Sequence, residues 1–139
     1  MTAFLWALLT ACIWGVVPLM EKVGLGRASP TLGVFVRSLG VVIGLVVFSL
    51  FSSPWEALRS LSWPSVFLLA GGGLLASFVG QWAFYHALKS GALSQVTPVA
   101  GTYPLVAALL GWSILREPLT VSRAVGVLFV VAGVILLRK

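Results

Sequence analysis

The sequence predicts an all-α membrane protein, a single bundle of five transmembrane helices, and three observations lead there. Hydrophobic residues make up 60% of the 139 and charged residues 9%, with a mean hydropathy of +1.10. A soluble domain carries roughly a quarter charged residues, so this chain cannot cover a globule with polar side chains. Its solvent is lipid. The charges stand at the ends of long uncharged runs, where membrane proteins place them. Those runs approach the ~20 residues with which a helix crosses hydrocarbon.

The first span is about 3–21, because 2–20 is uncharged and Glu21-Lys22 follows. The second, about 31–51, takes in Arg37 and the uncharged run behind it, with the apolar pattern reaching back to Thr31. The third, about 64–88, lies in the uncharged run 60–88, which is long enough to cross while tilted. The fourth, about 93–115, comes from the run 90–115. The fifth is about 119–137: its apolar part from Ala124 is short alone and reaches spanning length by starting near Leu119, with Arg123 in its first turn. GLGRASP (24–30) and KSGALS (89–94) are short turn sequences with glycine where a helix ends. SSPWEALRSLSWP (52–64) is bracketed by Trp55 and Trp63, which suits the headgroup layer. Nothing remains for a linker or soluble domain, so 1–139 reads as one transmembrane domain without internal repeat.

The net charge of +6 is no nucleic-acid footprint, because the nine bases are scattered rather than gathered on one face. Cys12 alone excludes an internal disulfide, and no Cys/His grouping has metal-ligand spacing. No cofactor or metal is expected. No Ser/His/Asp or paired-carboxylate constellation marks an enzyme either. LTAC (9–12) is similar to a lipoprotein cleavage box, yet no base precedes it and the apolar run continues to Met20. Cys12 therefore reads as an ordinary membrane-facing side chain. Lys22, Arg27, Arg37, Lys89, Arg138 and Lys139 fall on one side of the predicted bundle, and Arg59, Arg116 and Arg123 on the other. The positive-inside rule then gives a cell-membrane protein with its N-terminus outside and its C-terminus cytoplasmic. Six against three is a moderate bias, compatible with a minority inserted the other way round.

The fourth span carries Pro98 and Pro104. Each proline withholds an N–H from the carbonyl four residues earlier, here Ser94 and Ala100. Hydrocarbon penalises such groups by several kcal/mol unless protein or water meets them. This span should therefore bend and face an interior. Gln95, Thr102 and Ser113 share one helical face, and Ser77, Gln81 and Tyr85 follow at i, i+4, i+8 in the third span. Two readings fit such stripes: a polar cavity, or interhelical hydrogen bonds that only hold the bundle together. Small residues recur at Gly40 and Gly44, at Gly72, Ala76 and Gly80, and at Gly126 and Gly133, spacings that let helices approach closely. The fifth span, otherwise featureless, is the candidate for a subunit contact.

These residues also carry a resemblance. Trp14-Gly15, Lys22, Pro30 and Arg37 are followed by TPVAGTYPLVAALLGWSILREPLT and then RAVGVLFVVAGVILL. In that order, over nearly the whole chain, they resemble the EamA-type repeat of the drug/metabolite transporter superfamily. Many relatives hold two such repeats of opposite orientation; this chain looks like one alone, half of an inverted-repeat transporter. The resemblance implies alternating access for a small-molecule substrate, and a partner in the bilayer. That partner is a second copy, in a homodimer that inverted insertion would make antiparallel, or an oppositely oriented protein in a heterodimer. Resemblance and position together imply a substrate cavity lined by Trp14, Arg37, Gln81, Tyr85, Gln95, Thr102 and Tyr103. Arg37 stands out, since a base two turns into a membrane helix is either functional, paired or snorkelling to the headgroups. Aromatic walls and Arg37 would suit an amphipathic metabolite with an anionic group, such as an amino acid. Glu117 reads as structural beside Arg116 and Pro118, and His86 as a surface residue. Small multidrug-resistance relatives use a carboxylate in their first helix; with Glu21, Glu56 and Glu117 all expected at helix ends, that mechanism is not supported. The competing class is a non-transporting membrane subunit that stabilises or regulates another protein.

Overall fold

A computed structural model describes residues 2–52, 58–118 and 120–137, of Leu137 the backbone only. Trp55 and Glu56 of the expected interfacial loop, Leu119, Arg138 and Lys139 lie outside the described residues. Among those described there are helices and no strand, in the order α1 (Ala3–Leu25), α2 (Pro30–Phe51), α3 (Trp63–Ser90), α4 (Leu93–Ala100), α5 (Tyr103–Ser113) and α6 (Val121–Leu137). Four stretches are long and apolar enough to cross a membrane: α1, α2, α3 and the α4–α5 stretch Leu93–Ser113. The protein is an all-α, multi-pass membrane protein. Its chain divides into two compact units, Met1–Ser90 and Gly91–Lys139.

In the first unit, α1 does not stop at Glu21-Lys22 but continues one turn to Leu25. A charged pair does not break a helix; Gly26, with φ +29°, does. Ser29 then caps α2 by accepting from the Leu32 N–H at 3.2 Å, with Pro30 in the first turn. Ser62 caps α3 in the same way, through the Ser65 N–H at 3.4 Å. Midway, α3 widens into a π-helical segment, Leu75–Gly80, before resuming at Gln81. Gly80 suits that segment, because a Cβ there would stand 3.2 Å from the Leu75 carbonyl oxygen. The widening shifts the face that follows, so the expected Ser77–Gln81–Tyr85 stripe is broken: Ser77 is exposed and Tyr85 is buried.

The three helices meet over a short length. Leu25, Val34, Tyr85 and Leu88 are buried there. Gly33 makes the approach possible, since a Cβ at that position would lie 2.6 Å from Leu25 Cδ2 and 2.9 Å from the Tyr85 ring. Apolar side chains elsewhere, such as Phe35, Phe51, Trp63 and Phe67, remain exposed, as a lipid-facing surface should be. At Gly40, Gly44, Gly72 and Gly73 an added Cβ would meet nothing within 4 Å beyond the adjacent backbone of its own helix. Those glycines seal no seam among the described residues.

The second unit shows how two prolines fit one apolar stretch. The helix breaks between Ala100 and Tyr103, which places Pro104 in the first turn of α5 rather than in a helix interior. At the break the Gly101 N–H donates to the Thr97 carbonyl at 2.8 Å and the Thr102 hydroxyl to Val99 at 2.6 Å. After α5 the chain folds back, with the Glu117 N–H on the Gly111 carbonyl at 3.1 Å and Arg116 at φ +53°. Thr120 receives the Arg123 N–H on its hydroxyl at 3.4 Å as α6 begins, and α6 packs on α4 and α5. Its 17 residues make a helix about 25 Å long, shorter than the ~30 Å hydrocarbon core.

Candidate functional site

Three helices of the first unit bring four polar side chains to one point. Glu21 stands one turn before the end of α1, Arg37 two turns into α2, and Gln81 and Tyr85 at i, i+4 just after the π-helical segment of α3. Gln81 Nε2 and the Tyr85 hydroxyl each donate to Glu21 Oε1 at 2.9 Å. Arg37 Nε lies 3.5 Å from the same oxygen. The Glu21 side chain is 10% exposed and that of Arg37 33%. A carboxylate so withdrawn from water is tolerated only with a counter-charge and hydrogen bonds, and this one has both.

The cluster borders an open groove of about 500 Å³. Val17, Met20, Leu32 and Val36 form its apolar walls, and Glu21, Arg37 and Tyr85 are its polar groups. The supporting frame is pinned by long side chains. Lys22 Nζ donates to the Leu88 carbonyl, Lys89 Nζ to the Ala28 carbonyl at 2.6 Å, and Trp82 Nε1 to the Thr31 hydroxyl at 3.2 Å. His86 lies exposed with its ring edge-on to Trp82, centroids 4.5 Å apart. Chemically, such a groove offers a guanidinium, a carboxylate and a greasy wall to a small amphipathic solute.

Of the residues singled out from the sequence, Arg37, Gln81 and Tyr85 come together here. Trp14, 57% exposed, is seven residues before Glu21 on α1, or ~10 Å along the axis, and is not among the groups on that carboxylate. Gln95, Thr102 and Tyr103 belong to the second unit: Gln95 is exposed on α4, Thr102 serves the helix break, and Tyr103 is 57% exposed at the start of α5. Beside Pro98 the Thr97 hydroxyl is buried and without a hydrogen bond among the described residues. Glu117 makes an exposed 3.8 Å pair with Arg123. Glu21 joins Arg37, Gln81 and Tyr85 although the charge pattern places it at the end of its helix: the helix runs one turn further, to Leu25, and it is the glycine at 26 that signals the end.

The chain matches the EamA-like transporter family over residues 1–139. It is 26% identical over 132 residues to a Sinorhizobium protein described as an uncharacterized transporter in the cobO 3′ region, covering 95% of this chain and 93% of that one. It is 24% identical over 136 residues to an uncharacterized protein of Methanocaldococcus jannaschii, covering 98% of this chain and 96% of that one. No solved structure matches the chain.

Proposed function

From the premise that this chain belongs to the EamA-like transporter family and is a membrane transporter, we propose that it moves a small amphipathic metabolite bearing an anionic group by alternating access. The observation that carries this reading is the Glu21–Arg37 pair, set with Gln81 and Tyr85 beside an apolar groove. Ionisable residues within membrane helices are expensive and mark solute pathways. Family resemblance alone adds Trp14 of the first unit and Gln95, Thr102 and Tyr103 of the second as further proposed substrate contacts. The working form is a pair of five-helix units inserted in opposite directions, either two copies of this chain or this chain and a partner. The majority orientation in the cell membrane has the N-terminus outside and the C-terminus cytoplasmic.

Uptake of radiolabelled solutes by purified protein in liposomes tests the reading. Saturable uptake is expected, and Arg37→Lys should abolish it while leaving insertion intact, because an ammonium lacks the planar fork that grips a carboxylate. Uptake no better than that of empty liposomes for every anionic metabolite would favour a non-transporting subunit. A reporter fused after Lys139 should be active in its cytoplasmic form; a predominantly external signal would reverse the orientation.

A further inference from the structure

Resting on that reading of the groove, we propose that it binds an amphipathic anion together with one proton, which Glu21 takes up as the anion pairs with Arg37. The reasoning is a matter of charge and of unmet hydrogen-bonding groups. A guanidinium has five N–H donors, yet Arg37 makes no hydrogen bond to a described residue, and its contact with Glu21, at 3.5 Å through Nε, is long for a charge-assisted bond. The fork is therefore open toward the groove. Glu21 is held by Oε1 alone, and no described donor meets its Oε2.

The groups facing Glu21 are Arg37 from α2 and Tyr85 with uncharged Gln81 from α3. Lys22, next to it on α1, donates to the Leu88 carbonyl, and Lys89 of α3 to that of Ala28. Glu21 and Arg37 thus balance each other before a ligand arrives. A carboxylate that docks on the guanidinium in the two-pronged manner takes over the charge on which Glu21 depends. With two carboxylates on one guanidinium, the more enclosed, Glu21 at 10% exposure, is the one neutralised rather than left charged. One proton from the aqueous phase joins Glu21 Oε2, forming an O–H bond, while no bond of the ligand is made or broken. The site is neutral before and after. Val17, Met20, Leu32 and Val36 receive the apolar body, and about 500 Å³ is ample for a ring and a short chain.

Phenylacetate, with phenylacetamide as its uncharged counterpart, is the probe. Calorimetric titration of the full-length protein in detergent, in two buffers of different ionisation heat, counts the protons taken up. About one proton per phenylacetate is expected, with affinity falling about tenfold per pH unit wherever unliganded Glu21 is ionised. In Glu21→Gln, which imitates the protonated acid, that slope should vanish. If the variant does not fold, the paired-buffer count on the wild type decides alone. Phenylacetate bound without proton uptake, uptake unchanged in folded Glu21→Gln, or phenylacetate binding no tighter than phenylacetamide overturns the proposal. Transport is read separately. A probe bound with its proton but never transported sinks the transporter reading and leaves this one, and proton-free binding with transport intact does the reverse.

Discussion

Glu21 and Arg37 in the first unit stand 3.5 Å apart with side chains 10% and 33% exposed, whereas Glu117 and Arg123 in the second stand 3.8 Å apart at 56% and 61%. The distances are nearly equal. The surroundings are not, because two further donors converge on Glu21, while Arg123 spends a terminal nitrogen on the Pro118 carbonyl at 3.2 Å. Water and company, rather than separation, decide what an ion pair does. The exposed pair adds little beyond a loop already turned by its backbone. The enclosed one is a liability that must be compensated in full, and such an arrangement is worth keeping where a solute is to take part in the compensation.

Removing one partner from each pair should separate the two most clearly. Arg37→Gln leaves Glu21 without its counter-charge; breaking a fully buried pair costs about 3–5 kcal/mol, and with Arg37 33% exposed the cost should fall at or below the lower end of that range. A large fall in the denaturation midpoint of the detergent-solubilised protein is expected, with transport lost. A midpoint unchanged from wild type would mean that Arg37 reaches water and that the pair belongs with the exposed one.

Tyr85→Phe removes one donor from Glu21 and keeps the buried ring. A hydrogen bond to a charged group contributes about 1.5–3 kcal/mol, so the loss should be no larger than for Arg37→Gln. Because the two residues act on the same oxygen, their effects should also fail to add, and the double variant measures by how much. Strict additivity would separate Tyr85 from the cluster.

Gly33→Ala asks whether the close approach of three helices is what carries the site. The added methyl would stand 2.6 Å from Leu25 and 2.9 Å from Tyr85. Overpacking of this kind costs about 1–3 kcal/mol. It should also displace the Tyr85 ring, so that transport falls by more than stability alone predicts. Gly40→Ala, whose methyl would meet nothing within 4 Å beyond the adjacent backbone of its own helix, should leave the isolated chain unchanged.

The helical class was legible because it rests on bulk quantities, the scarcity of charge and the length of the apolar runs. Arg37, Gln81 and Tyr85 were legible as polar interruptions of such runs. Three features were not. Glu21 looked like a terminus, because reading spans from charge to charge treats every acid as a stop. The π-helical segment of α3 has no compositional mark, yet it decides which face Gln81 and Tyr85 present. Gly33 stands seven residues before Gly40, the interval of Gly126 and Gly133, yet it alone of Gly33, Gly40 and Gly44 takes a close neighbour, so spacing does not tell which glycine a seam will use. Pairings between helices are properties of three-dimensional register, and periodicity along one helix does not contain them. The break at Gly101-Thr102 is half legible: two prolines call for a bend, but not for a new helix that starts at Tyr103 with Pro104 in its first turn.

At the exposed pair a substitution should change little. Glu117→Gln removes the charge opposite Arg123 but leaves the Glu117 N–H on the Gly111 carbonyl and the Arg123 bond to Pro118 in place. Both side chains are more than half exposed, so the attraction is already screened by water and salt. Surface pairs of this kind contribute about 0–1 kcal/mol. The denaturation midpoint should therefore shift slightly at low salt and not at all at high salt, with transport unaffected. A double-mutant cycle with Arg123→Gln isolates the pair from the other contacts of each residue. A coupling as large as that between Glu21 and Arg37 would show that exposure in the single chain misstates the surroundings of this loop. Something in the membrane would then have to cover Glu117, and the loop would move from scaffold to contact surface.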